Sequence, residues 1–246
     1  RNRMKLLSFS NRVVKETVRD PLNLAFGIGF PVILLLLLSA IQANVPVDLF
    51  EISRLAPGIC VFGLSFMTLF SALLVSKDRE SALLQRLYTT PLTAADFILG
   101  YVIPMLPMAL IQCAVCFAAS LALGLELSIK ILYSIISIIP AALFFISLGL
   151  LCGSVMNSKQ VGGICGALLT NLAAWLSGAW FDLELVGGAF KAVADVLPYA
   201  HAVELQRAVL AGNFDGIVPH LYWVIGYAIV ATLGAVILFL RQMKRN

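Results

Sequence analysis

The 246 residues are 61% hydrophobic and only 12% charged, with a mean hydropathy of +0.97 and a net charge of +4. A soluble domain carries roughly 25% charged residues, so a chain this poor in charge cannot cover itself with a water-facing surface. The composition therefore excludes soluble classes and implies an integral membrane protein, with membrane lipids as its surroundings and no nucleic acid as a partner.

Residues 1–20 come first. At about 100° per residue, Lys5, Arg12, Lys15, Glu16 and Arg19 fall on one arc, while Leu6, Leu7, Phe9, Val13, Val14 and Val18 take the opposite side. This pattern predicts an interfacial helix lying on an anionic leaflet. A signal peptide fits less well, because the apolar stretch that follows is long and has no small-x-small cleavage site. The chain opens on Arg1 rather than Met, and native residues are expected to have been lost or replaced there.

Runs of about 20 apolar residues can each cross a bilayer as a helix. Six such spans are expected, over residues 22–41, 56–75, 97–123, 131–156, 161–181 and 220–240. Pro104, Pro107 and Pro140 predict kinks in the third and fourth. Runs such as 32–38 do not alternate, which argues against a β-barrel. The basic residues set the orientation. Six precede the first span, Lys77, Arg79 and Arg86 lie between the second and third, Lys159 between the fourth and fifth, and Arg241, Lys244 and Arg245 follow the last. The other side holds Arg54, Lys130, Lys191 and Arg207. Both termini and the segment 77–96 are thus expected in the cytoplasm.

The segment 77–96, KDRESALLQRLYTTPLTAAD, is a charged island between runs that lack any Asp, Glu, Lys or Arg. Leu83, Leu84, Leu87 and Tyr88 form i, i+4 pairs, which predicts a short helix with one apolar stripe. Thr89-Thr90-Pro91 should stop it. A short amphipathic helix pinned between two spans reads as a docking element. On the other side, residues 182–219 hold apolar patches too short to span. They read as half-helices dipping back into the outer leaflet, broken at Gly187-Gly188 and Pro198.

The spans carry no Asp, Glu, Lys or Arg. Ion-driven carriers usually keep such groups at mid-membrane, where they are costly and mark function. A G-x-x-x-x-G-K-[ST] motif is also missing, so any ATP is expected on a separate chain. Cys113-x-x-Cys116 reads as apolar filler, and His201-x-x-Glu204 as an interfacial polar pair. Gly149-x-x-x-Gly153 and Gly162-x-x-x-Gly166 are close-packing motifs. No catalytic, cofactor-binding or metal-binding residue emerges. Three readings stand at this point: an energy-coupled permease, a secondary carrier or channel working without an ATPase, and a membrane anchor that tethers a soluble protein.

The order of these elements resembles that of the ABC-2 type ABC-transporter permeases: interfacial helix, two spans, amphipathic loop, four more spans, and a long outer insertion before the last. Leu55-Ala56-Pro57-Gly58-Ile59 resembles the family's opening of the second span. Arg79-Glu80 followed by Arg86-Leu87-Tyr88-Thr89-Thr90-Pro91-Leu92 resembles its coupling loop. Ser177-Gly178-Ala179-Trp180-Phe181, Leu197-Pro198-Tyr199 and Arg207-Ala208-Val209-Leu210 resemble its re-entrant region. Many members have Gly-Thr or Gly-Ser after the loop's acidic residue, where this chain has Ser81-Ala82.

The resemblance implies one all-α transmembrane domain over residues 1–246, serving as the permease subunit of an ATP-driven exporter. Two copies, identical or paralogous, would pair with two ATP-binding subunits that hold the ATP and Mg. It implies ATPase contacts at Arg79, Glu80, Leu83, Arg86, Leu87, Thr90 and Lys15. It also implies a pathway near the dimer axis with Phe66, Phe70, Asn171 and Trp175 as candidates. The apolar, aromatic spans suit an amphipathic substrate such as a drug, lipid or lipopeptide.

Overall fold

In the computed structural model, which describes residues 2–245, the apolar runs become helices whose ends are set by local caps. Helix α1 (Asn2–Arg19) leads to α2 (Pro21–Ala43), whose first turn is capped by Asp20 accepting from the Leu22 amide at 3.0 Å. Helix α3 (Ile52–Glu80) is followed by the short α4 (Leu83–Tyr88) and by α5 (Ala94–Ala122). A reciprocal box starts α5: the Asp96 amide donates to Thr93 Oγ1, and the Thr93 amide to Asp96 Oδ2 at 2.8 Å. Asp96 thus belongs to the helix rather than the loop.

Helix α6 (Ile129–Val155) is interrupted at Ile138, two residues ahead of Pro140. Helix α5, by contrast, runs on through Pro104 and Pro107. Residues 158–176 form α7, with a π turn at Ile164–Leu169 between two α segments. The 182–219 segment folds as a 3-10 turn, then α8 (Gly188–Val196) and α9 (Pro198–Ala211). Gly187, at φ 62, opens α8 and Gly212, at φ 74, closes α9, both in conformations that favour glycine. The last helix is α10 (Phe214–Arg245).

Among the described residues, five helices are long and apolar enough to cross a membrane: α2, α3, α5, α6 and α10. The expected fifth span, 161–181, is helical only to Leu176, and α7 is not one of the five. Arg1, counted in the N-terminal segment, lies outside the described residues.

Helix α3 is the centre of the bundle. Its most apolar window is 89% buried, against 22% for α2 and 28% for α10. Gly149 and Gly153 of α6 let the two backbones meet, since a Cβ at 149 would overlap the Thr68 carbonyl and one at 153 would lie 3.0 Å from Ala72 Cα. Side-chain hydroxyls tie α6 to two neighbours, α3 and α9. Thr68 Oγ1 donates to the Phe145 carbonyl at 2.7 Å, and Ser134 Oγ to Gln206 Oε1 at 2.7 Å. All five cysteines are buried and free.

Candidate docking face and pathway residues

Four polar residues near the end of α3, Ser76, Asp78, Arg79 and Glu80, join it to α1, α5, α6 and α7. Ser76 Oγ donates to the Met156 carbonyl at 2.8 Å, and Arg79 Nη1 to the carbonyls of Gly153 and Met156 at 2.7 and 2.9 Å. Together they satisfy the orphan carbonyls at the C-terminus of α6, where a cation is also favoured by the helix dipole. Glu80 accepts from the Ser158 amide and hydroxyl, both at 2.7 Å, at the start of α7. Asp78 is 2% exposed. It accepts two hydrogen bonds from Arg12 of α1, at 3.0 and 2.5 Å, and one from the Tyr101 hydroxyl of α5 at 2.6 Å. The Asp78 carboxylate raises the Arg12 pKa further above its ordinary value, mainly through that hydrogen bond.

Helix α4 hangs from this junction. The turn into it passes through Ala82 at φ 58, a left-handed conformation that L side chains rarely adopt. Leu84 is buried beneath the helix, and the Tyr88 hydroxyl donates to Gln242 of α10 at 3.3 Å. The hydroxyls of Thr89 and Thr90 donate to the Arg86 and Leu87 carbonyls at 2.7 and 2.5 Å, closing its C-terminus ahead of Pro91. On the other side, Leu83, Leu87, Thr90 and Leu92 face Met4, Lys5 and Phe9 of α1 across an open groove of about 580 Å³.

The expected contact residues therefore divide. Leu83, Leu87 and Thr90 line the groove, and Arg86 and Lys15 are exposed. Arg79 and Glu80 are engaged within the chain as helix caps, with Glu80 still exposed. The sequence reading passed over Asp78, although Phe70, Leu74 and Asp78 share one i, i+4 stripe whose first two members are core residues.

The expected apolar side of α1 also divides. Phe9 and Val13 are buried, while Leu7, Val14 and Val18 stay exposed together with Met4. The basic arc lies between these two surfaces. One flank thus packs on protein and another stays exposed.

The four pathway candidates are not brought together. Phe66 and Phe70 are buried in an aromatic seam, with Phe66 5.8 Å from Phe30 and 6.2 Å from Phe26 of α2. Asn171 and Trp175 lie on the outward face of α7, which Ile164 and Leu168 continue. On the opposite end of the bundle, Glu204 pairs with Arg207 at 3.1 Å, and His201 Nδ1 lies 2.8 Å from His220 Nδ1. Among the described residues, no group of three His, Cys, Asp or Glu side chains could hold a metal ion.

An all-helical bundle with several membrane-length helices and a short helix between two of them is the architecture of an integral membrane protein. Residues 4–211 match the family model described as "ABC-2 type transporter", and the chain belongs to that family. It is also 34% identical over 119 residues to ycf38 of Pyropia yezoensis, provisionally named a transport permease. That match covers 46% of this chain and 41% of the relative, so the chain spans less than half of the relative's length. Family and helices together make it an integral membrane protein, in a family whose permeases work with ATP-binding subunits and are generally not enzymes.

Proposed function

We propose that this chain is the permease subunit of an ATP-driven exporter, working as a dimer with two separate ATP-binding subunits that carry the ATP and Mg. The observation that carries this reading is α4. It is a six-residue helix held at one end by the capped terminus of α3, with Leu84 anchored below and Leu83, Leu87 and Arg86 left toward the groove and solvent. An element this short has little stability of its own. Its fastening to α3 and α10 gives it the means to pass a push to the bundle.

The basic residues around α4 favour a cytoplasmic position for it, in the inner membrane of a bacterium, with both termini on the same side. Helix α7 would complete six spans, and α8–α9 would form the outer re-entrant gate. Asn171, exposed on an otherwise apolar face, calls for a polar partner in lipid, which a second copy could supply. Trp175 would line the shared pathway, and the Phe66–Phe70 seam would open into it on rearrangement. Charge-free helices and this aromatic lining suit an amphipathic substrate.

The test is co-purification with the cognate ATP-binding subunit in nanodiscs, with Arg86→Ala and Leu87→Ala as variants. Binding is expected to fall at least ten-fold in each, since Arg86 is exposed and Leu87 lines the open groove. If no ATPase associates and the chain alone exchanges a solute in liposomes, a carrier mechanism replaces this one.

A further inference from the structure

Helix α1 is fastened to the bundle in two ways. Its first attachment is apolar: Phe9 packs edge-on against Phe97 and Tyr101 of α5 at 6.1 and 5.1 Å, and Val13 is fully buried. Gly100 leaves the space that the Phe9 ring fills. With the Ser10 hydroxyl donating to the Gly100 carbonyl at 3.4 Å, these contacts hold α1 against α5. The second attachment is the Arg12–Asp78 pair, which joins α1 to the end of α3 instead.

An ion pair with one member buried gains little net stability, because the buried carboxylate, here Asp78, must leave water. What a guanidinium fork on a carboxylate does supply is fixed geometry, since two parallel hydrogen bonds define position and rotation together. Tyr101 holds the same carboxylate from a third helix at 2.6 Å. Asp78 also stands directly before the turn into α4, and the Ser81 hydroxyl donates back to its carbonyl at 3.2 Å. The pair thus fixes α1 relative to the base of α4, across the groove that both helices line.

We propose that Arg12, Asp78 and Tyr101 are positioning residues that make α1 and α4 one rigid input element. A displacement applied to α4 then turns α1 and the adjoining end of α5 with it. This rests on the docking role of α4, but rigidity between the two helices can be measured without any partner.

The experiment uses the full chain in nanodiscs, with spin labels at the exposed positions Asn11 of α1 and Gln85 of α4. The parent chain is expected to give one narrow distance distribution. Asp78→Asn and Arg12→Gln should each at least double its width, and Arg12→Lys should recover part of the difference. Arg12 is partly exposed, so its variants test the link even if Asp78→Asn folds poorly. In the second arm, the cognate ATP-binding subunit is added and its ATP turnover measured with and without the permease. Asp78→Asn and Arg12→Gln are expected to bind that subunit within two-fold of the parent, yet to lose at least five-fold of the permease-dependent change in turnover. Unchanged widths in both variants overturn the proposal, as does unchanged turnover with widened distances. If the parent chain binds no ATPase, the docking role fails, and the distance widths alone then decide whether the two helices are one body.

Discussion

Ala82 is the residue whose backbone departs most clearly from its side chain's preference. A non-glycine residue in the left-handed region costs roughly 1–2 kcal/mol, partly offset by the greater unfolded-state freedom of glycine. Ala82→Gly is therefore expected to stabilise the chain by about 1 kcal/mol, read as a higher midpoint of thermal unfolding in detergent. A fall in the midpoint would contradict the conformation of this turn. Arg207 gives the opposite case. Its guanidinium donates to the carbonyls of Arg54, Gly178 and Ala179 at 3.0–3.3 Å, tying the start of α3 to the turn after α7. Burial pulls its pKa down while Glu204 opposes the shift. Arg207→Met should cost about 3 kcal/mol, because the carbonyls of the buried residues Gly178 and Ala179 lose a charged donor together. A loss below about 0.5 kcal/mol, the range of an ordinary surface change, would show that these carbonyls are satisfied without it.

Among the elements, the closest approach is that of α3 and α6. Gly149→Ala should destabilise by about 1–3 kcal/mol, since the added methyl meets backbone rather than a movable side chain. Gly226→Ala in α10 meets open space and should be neutral or gain up to about 1 kcal/mol of helix propensity. Equal midpoints for the two variants would show that the α3–α6 contact is looser than described. The sequence made most helices legible at this scale, because charge-free runs of membrane length have few alternatives. It misplaced their ends for a physical reason. Residues 77–80 look like loop because they are polar, yet they extend α3 by capping α6 and α7, partners about 75 residues away in sequence. Helix α4 itself was legible from Leu83, Leu84, Leu87 and Tyr88 alone. The Arg12–Asp78 link was not, since a pairing across 66 positions leaves no local periodicity.

For the whole molecule, the outward face of α7 is the informative surface. Ile164, Leu168, Asn171 and Trp175 follow one another along it, and Gly162 and Gly163 have nothing packed on them. Small and amide residues on one face are what close helix association in lipid uses. Asn171→Leu is expected to weaken self-association in nanodiscs or detergent at least five-fold while leaving the monomer folded, checked by single-molecule photobleaching steps. Unchanged association would move the contact between copies to another face.

The enclosure of α3 also constrains how the protein is made. Helix α3 leaves the ribosome before α6, which buries much of it and follows some fifty residues later. Until then Thr68 and Ser71 face lipid or the insertion machinery, and Arg79 waits for carbonyls not yet synthesised. Nascent α3 is thus the step at which quality control can recognise an incomplete chain. A product truncated after residue 128 should be cleared several-fold faster than the full chain in a pulse-chase experiment.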